Sequence, residues 1–264
     1  LMRELSFRVR SLGSEKPAPP VAEELAAWIL RHTGTAADLT TWEIEETLNA
    51  QTEDVTAPAA GGMFYRDRIA AAFSNVSDQR ISEEFDLQTA EIAADCTAAG
   101  KIRKGCWWSV PSPQALHFTD GYFADTDAAS EAVADAVTRV CRVMRDYDAV
   151  GHVLLYDDCP DAIDLEHFSG KRFLRFVPDA FLETVLEVQR DLILSAAAVP
   201  RLTEFADCYT IRQVYITDPI ADTLAGVCRL FDPDDVFCAG TAPESDQKAY
   251  WKNLAGLQIR PRDI

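Results

Sequence analysis

Seven side chains that can bind a metal or transfer a proton lie within residues 157–167. They follow residues 150–156, an apolar run that predicts a buried strand. Carboxylates at the C-terminal edge of such a strand lie where α/β sheets bind ligands, and clustered oxygen atoms suit Mg²⁺, Ca²⁺ or Mn²⁺. The predicted metal ligands are Asp157, Asp158, Asp161 and Glu166, with His152 or His167 as an added nitrogen ligand and with Cys159 and Asp164 completing the cluster. The alternative is a solvated acidic loop paired with nearby bases.

Three basic residues follow this cluster, namely Lys171, Arg172 and Arg175. They are predicted to bind a phosphate or carboxylate group, and together with a metal they indicate a metal-dependent hydrolase or phosphoesterase. The sequence contains no GxGxxG, P-loop, GxSxG, HExxH or zinc-finger spacing. Enzymatic activity is therefore left open, with a non-enzymatic role favoured and no cofactor specified beyond a divalent metal.

A second group combines cations with aromatic rings. The group contains Lys101, Arg103, Lys104, Trp107 and Trp108. Tryptophan rings can stack on bases while neighbouring cations meet phosphates, so these residues are predicted to bind nucleic acid. In the alternative interpretation, the two tryptophans pack into the protein's own core.

The residues around this second group predict two short helices, over 78–85 and 87–99, with Gly100 ending the second. A strand from Lys101 and a returning strand over 115–118 would then form a basic hairpin. This layout resembles the winged helix-turn-helix superfamily over residues 78–118. The resemblance implies a recognition helix over 87–99 and a wing over 101–118 that contacts DNA. Glu91 and Asp95 depart from it, because carboxylates repel phosphates, and winged helices also bind proteins.

Composition limits the partners. The formal net charge is −18, divided into −7 through residue 120 and −11 after it. An acidic surface disfavours nonspecific binding to nucleic acid or anionic membrane, so DNA binding would need the local basic wing. Seven cysteines without a CxxC pair indicate free thiols in a reducing compartment. No apolar run is long enough for a membrane span, so a cytoplasmic protein without a membrane partner is predicted.

The remaining periodicity predicts helices near 21–32, 39–48 and 63–73, and a strongly periodic helix after Asp125. Beyond these, strands are predicted over 150–156, 173–177, 209–217 and 236–238, with a long helix over 179–198 and another after Asp218. The predicted class is α+β: a helical, winged-helix-like domain over residues 1–120, followed by an α/β domain over 121–264 with a small mixed sheet covered by helices.

The predicted function is a DNA-associated regulatory or binding protein, in which the wing contacts DNA and the second domain senses a ligand or forms a homodimer. The alternatives are the metal-dependent hydrolase or phosphoesterase and a scaffold whose winged helix binds a protein partner.

Overall fold

The computed structural model describes residues 4–51, 53 and 55–264, and parallel strands form its centre. Eight strands in this part of the chain run in one direction, with helices between them. A parallel neighbour requires a crossover connection, which these helices provide. The strands are β1 (Arg8–Ser14), β2 (Ala59–Gly61), β3 (Trp107–Pro111), β4 (Gly151–Leu155), β5 (Phe173–Phe176), β6 (Asp191–Ser195), β7 (Gln213–Thr217) and β8 (Val236–Ala242).

The eight strands lie side by side in chain order and close on themselves. Strands β2 to β5 form one hydrogen-bonded sheet, and β6, β7, β8 and β1 form another. The sheets join where the Ala57 N–H donates to Val9 O at 3.0 Å and the Ala57 carbonyl oxygen accepts from the Ser11 N–H at 2.9 Å. The last strand, β8, pairs with the first. The architecture is therefore a parallel α/β barrel with a seam between β5 and β6.

Side chains close this seam in place of a backbone ladder. Gln189 Oε1 accepts the Arg175 N–H at 2.8 Å, and its amide nitrogen donates to Asp191 O at 2.6 Å. At the other end of the seam, the Asp179 carboxylate accepts from the Ser195 N–H at 3.1 Å and from the Ser195 hydroxyl. Backbone groups that lack a strand partner are thus satisfied.

Alternate residues of the strands fill the barrel interior. The strand register aligns Ser109, Val153 and Leu174 across β3, β4 and β5. Because successive side chains point to opposite faces, residues two apart share the interior. The buried interior cluster consists of Leu12, Val153, Leu155, Leu174, Ile193, Tyr215, Phe237 and Ala239. The opposite strand faces pack against the helices in the larger core.

The outer layer consists of short helices and one long one. Asp125 accepts from the N–H groups of Asp127 and Ala128 and so caps the long helix, whose predicted apolar stripe is buried. The helices are α1 (Ala22–Arg31), α2 (Leu39–Ala50), α3 (Arg66–Ala71), α4 (Ala90–Ile102), α5 (Thr126–Asp146), α6 (Ala162–His167), α7 (Leu182–Leu186), α8 (Leu202–Cys208), α9 (Ala221–Val227) and α10 (Gln247–Ala255).

The predicted winged helix is wrong. Strand Trp107–Pro111 pairs in parallel on both sides instead of forming a hairpin. The segment predicted to return as a strand contains a 3₁₀ turn, Gln114–Leu116. In place of the first predicted helix, over 78–85, Arg80–Ile81 pairs antiparallel with Val76–Ser77 and residues 82–85 form no helix. Helix α4 continues past Gly100 to Ile102, so the predicted stop is also wrong.

The predicted α+β class with a small mixed sheet is wrong as well, because the central strands form a parallel barrel. The predicted long helix over 179–198 contains α7 and then strand β6. Leu192 and Ile193 fit a helical stripe, but they lie on opposite faces of β6 and are buried on both. Strands on the two sides of the predicted boundary near residue 120 pair with each other in the barrel: β3 pairs with β4, and β1 pairs with β8.

Across residues 4–51, 53 and 55–264, no helix combines the length and the apolar composition needed to cross a membrane.

Candidate functional site

A cleft of about 570 Å³ opens beside the C-terminal ends of β3 and β4. In parallel α/β barrels the loops at this end of the strands carry the catalytic and binding residues. The cleft lies between the loop after β3, the first turns of α5 and the start of α6. Its lining includes Gln114, His117, Asp120, Thr126, Ser130, Asp161 and Asp164, together with Ile81, Pro113, Phe118, Ala129 and Val133.

A histidine and a carboxylate meet at the edge of this cleft. His117 Nε2 lies 2.8 Å from Asp157 Oδ2, and Arg66 Nη2 lies 3.6 Å from the same oxygen. Arg66 begins α3 after β2, His117 follows β3, and Asp157 follows β4. Three neighbouring strands therefore bring together side chains that are distant in sequence.

The local backbone places His117 by a tight turn. The turn Gln114–Leu116 ends with the His117 N–H donating to Gln114 O at 2.9 Å, and His117 adopts a left-handed conformation with φ 54°. Few residues other than glycine adopt this conformation, and functional sites concentrate such positions. The turn projects the imidazole toward Asp157 on the neighbouring strand.

Asp164 is the most perturbed carboxyl in the cleft. Asp161 caps α6 by accepting the Asp164 N–H at 2.8 Å, which fixes Asp164 in the first turn. Asp164 is 1% exposed, and its Oδ2 has no hydrogen-bond partner among the described residues. Burial, and then the nearby Asp161 charge, raise the pKa of Asp164 to about 7. The group can therefore change its charge near neutral pH, a property that is frequent at functional sites.

Two further polar atoms around the cleft are buried without a partner in the described part of the chain: Gln114 Oε1 and Arg66 Nε. Buried polar groups in folded proteins are nearly always hydrogen-bonded, so each exception calls for an explanation. Gln114 and Asp164 offer acceptors to a ligand, whereas Arg66 offers a donor. A ligand that carries both a donor group and an anionic group would satisfy all three.

Two pairs of polar side chains lie elsewhere around the barrel mouth. Tyr250 donates to Asp218 Oδ1 at 2.5 Å, and burial raises the pKa of Tyr250. Asp179 accepts from Ser195 across the seam. These pairs brace the mouth outside the cleft.

The predicted metal ligands have separate partners. Asp158 accepts the Cys159 N–H at 2.7 Å, and Asp161 caps α6. Asp157 contacts His117 and Arg66, and Glu166 is exposed on α6. Within the described ranges, no three or more His, Cys, Asp or Glu side chains are grouped so that they could hold a metal ion.

The histidines predicted as additional nitrogen ligands have other surroundings. His152 is fully buried and stacks on Phe173 with the ring centres 5.6 Å apart. Burial, with a smaller contribution from Arg145, lowers the pKa of His152 to about 3. His167 Nε2 lies 2.8 Å from Glu131 Oε1 on α5. Neither imidazole lines the cleft.

The residues predicted to bind nucleic acid lie in different parts of the fold. Lys101 and Lys104 are exposed near the end of α4. The Arg103 guanidinium donates to Gln51 O and Val55 O, each at 3.1 Å. The tryptophans point to opposite faces of β3: Trp107 packs with the barrel interior, whereas Trp108 is 1% exposed and its ring centre lies 5.4 Å from that of Tyr65.

None of the predicted phosphate-binding bases lines this cleft. Arg175 is buried on the outer face of β5, where Nη2 donates to Leu165 O at 2.8 Å and Phe168 O at 2.9 Å. Lys171 and Arg172 are exposed before β5, and Lys171 lines a cavity at the opposite end of the barrel. The three bases therefore do not act on one ligand at the candidate site.

Sequence reasoning included Asp164 in the acidic cluster but did not select it, and it missed Arg66, Gln114 and His117. Each missed residue lies after a strand that was either unpredicted or assigned to a hairpin. The signal was the position of polar residues just beyond short apolar runs at 59–61 and 107–111, which becomes visible only once both are recognised as parallel strands.

Comparisons with known proteins agree with this architecture. No family model matches the chain, and no curated protein matches it. It is similar in structure to a B12-independent methionine synthase from Shewanella sp. W3-18-1 in complex with selenomethionine. The TM-score is 0.63, the identity is 12%, and 95% of each chain is covered. A Pseudomonas aeruginosa protein assigned as a dihydrodipicolinate synthetase matches at TM-score 0.36 and 12% identity, covering 95% of this chain and 76% of that one.

The first of these similarities supports a barrel fold and overturns the winged-helix interpretation. The predicted DNA-associated regulator is therefore wrong, because it depended on a hairpin wing that the protein does not form. The hydrolase and scaffold alternatives lose their basis with it, since one required grouped metal ligands and the other a winged helix.

Proposed function

We propose that this protein is an enzyme that binds a small molecule bearing an amino group in the cleft beside β3 and β4. The observation that carries the proposal is Asp164 Oδ2, which is buried without a hydrogen-bond partner among the described residues in a ligand-sized cleft and belongs to a carboxyl with a pKa of about 7. Gln114 Oε1 adds a second unpaired acceptor. A protonated amine has the donors that both acceptors lack.

The ligand's other group is inferred from Arg66. Its Nε lacks a partner within the described chain, and the guanidinium lies at the Asp157 edge of the cleft. A carboxylate can accept from a guanidinium through charge-assisted hydrogen bonds. An amine and a carboxylate on one small molecule define an amino acid, which is the class of ligand found in the methionine synthase structure.

His117 and Asp157 supply the proton-transfer pair. When Nε2–H donates to the Asp157 carboxylate, Nδ1 keeps its lone pair and can accept a proton from the ligand. Asp157 then holds the imidazole in one tautomer and stabilises the imidazolium that forms. Asp164 acts in binding and His117 in the chemical step, so the two residues are expected to affect different kinetic constants. The unpaired state of the seven cysteines supports a reducing, cytoplasmic location for this chemistry.

Proton NMR in D₂O tests the proposal. Wild-type protein is incubated with each of the twenty standard amino acids, and loss of C–H signals or growth of product signals is recorded. We expect turnover of one or a few of them, with His117→Asn lowering kcat by about 100-fold, as is typical for loss of a general base. Asp164→Asn should mainly raise KM.

Asp158→Asn is the matched control, because Asp158 belongs to the same loop and does not line the cleft. Its kinetics should equal those of the wild type. Absence of turnover for every amino acid would contradict the enzyme proposal, and full activity of His117→Asn would remove His117 from the mechanism.

A further inference from the structure

A second cavity, of about 560 Å³, opens at the N-terminal end of the barrel, opposite the candidate site. It is formed where β1, β3, β5, β6 and β7 begin. Its walls mix aromatic rings with charged groups. The lining includes Arg10, Trp107, Lys171, Phe173, Arg175, Gln189, Arg190, Asp191, Arg212, Gln213 and Tyr215.

Arg10 forms the inner wall of this cavity. It is 8% exposed, and its Nε and Nη1 are buried without a hydrogen-bond partner in the part of the chain that the structure describes. Its guanidinium carbon lies 4.2 Å from the ring centre of Trp107 and 5.2 Å from that of Tyr215. These rings offset part of the cost of burying a cation, but they leave Nε and Nη1 without an acceptor among the described residues.

The cavity carries an excess of positive charge. Arg175 Nη2 donates to two backbone carbonyls. Arg212 forms a bidentate pair with Asp191, with distances of 2.9 and 2.6 Å, and Asp191 is the only acidic residue in the lining. Among the described residues, Arg10, Lys171, Arg175 and Arg190 form no ion pair. Four cations are thus left without an ion-pair partner at one mouth of a chain with net charge −18.

The aromatic wall is built for close contact. Trp107 is aligned with Gly151 on β4, and a Cβ atom at Gly151 would lie 2.7 Å from the Trp107 ring. Glycine at position 151 therefore makes the space in which the Trp107 ring lies against β4. The ring in turn supports the Arg10 guanidinium, and Phe173 extends the apolar surface.

We propose that this cavity binds a small organic phosphate, with the phosphate on Arg10 and the organic part against Trp107, Phe173 and Tyr215. The Nε and Nη1 of this guanidinium have no acceptor among the described residues and can donate to phosphate oxygens, which arginine binds through charge-assisted hydrogen bonds. A phosphate monoester carries nearly two negative charges at neutral pH, so it suits a cavity with four unpaired cations better than a monocarboxylate does. The cavity is also larger than an inorganic phosphate ion requires, and its aromatic wall suits an organic substituent.

Isothermal titration calorimetry at constant ionic strength tests the proposal with phenyl phosphate, inorganic phosphate and benzoate. We expect phenyl phosphate to bind most tightly. Arg10→Met should weaken its binding by about tenfold or more, the usual effect of losing a charged hydrogen bond. Arg8→Met is the matched control: Arg8 lies two residues earlier on β1 and also stacks on a ring, that of Phe237 at 4.0 Å, but it does not line the cavity.

The folded state provides a second readout. Arg10→Met removes an unpaired buried cation, so without phosphate the variant should unfold at the same denaturant concentration as the wild type or a higher one. If Arg10→Met does not fold, the Lys171→Met/Arg190→Met double variant replaces it, since both side chains are exposed, and it too should bind phenyl phosphate more weakly. The proposal is overturned if the wild type does not bind phenyl phosphate or binds benzoate equally well. It is also overturned if the variant tested, Arg10→Met or the double variant, binds phenyl phosphate as tightly as the wild type.

Discussion

At the scale of single residues, two buried titratable groups give the protein opposite responses to pH. Asp164 has its pKa raised to about 7, and His152 has its pKa lowered to about 3. In both cases burial disfavours the charged form. For Asp164 the folded state holds the proton more tightly than the unfolded chain does, whereas for His152 it holds the proton less tightly. The two groups therefore change the free energy of unfolding in opposite directions as pH rises.

The Asp164 contribution declines between pH 4 and pH 7, where the unfolded chain is ionised and the folded carboxyl is still protonated. Asp164→Asn removes the ionisable group. The free energy of unfolding of the variant minus that of the wild type should therefore be more favourable to the variant at pH 8 than at pH 4. Between the two pH values this stability difference should change by on the order of 4 kcal/mol, at about 1.36 kcal/mol per pKa unit. Urea denaturation at both pH values measures it. An equal difference at the two pH values would contradict a raised pKa.

The His152 contribution is present above pH 6.5 and is lost as pH falls toward 3, because the unfolded chain takes up a proton that the buried imidazole refuses. His152→Leu should therefore lose less stability than the wild type between pH 8 and pH 4.5. At pH 8 the variant should be at least as stable as the wild type, since it replaces two ring nitrogens that have no hydrogen-bond partner among the described residues with apolar atoms. Guanidinium denaturation at the two pH values checks this; a steeper loss in the variant would refute the account of His152.

At the scale of elements, the barrel depends on a seam closed by side chains. Gln189→Leu keeps a similar volume but leaves the Arg175 N–H without its acceptor. We expect a loss of about 1–3 kcal/mol in the free energy of unfolding, the usual cost of an unsatisfied buried donor. Gln88→Leu, on an exposed residue, is the control and should change stability little. Hydrogen exchange should show faster opening of β5 and β6 in Gln189→Leu alone.

The elements also explain which predictions from sequence succeeded. Helix α5 after Asp125 was predicted because apolar residues recur at helical spacing over several turns, and only a helix places all of them on one buried face. Strands β4 and β5 were predicted from short apolar runs. Strand β6 was not, because Leu192 and Ile193 suit a helix as well as a strand that is buried on both faces. Strand β3 was assigned to a hairpin, since its direction depends on partners at residues 59–61 and 151–155.

At the scale of the whole molecule, the candidate site could be predicted only in part. The acidic segment after β4 was identified, and Asp157 and Asp164 belong to it. Gln114, His117 and Arg66 come from loops after two other strands, and closure of the barrel is what brings them to the same edge. A sequence shows which loops are polar, but the order of strands around a barrel decides which of those loops meet.

The central claim is that Asp164 binds the amino group of a ligand in the cleft beside β3 and β4. A protonated amine lowers the pKa of the carboxyl that it contacts, so binding below pH 7 must release the Asp164 proton. Calorimetric titration of the twenty amino acids at pH 6, in two buffers with different ionisation enthalpies, measures this release. For the amino acid that binds, the wild type should release about one proton and Asp164→Asn none, as expected for a single linked group. No binding by any amino acid, or the same proton release in Asp164→Asn, would contradict the claim.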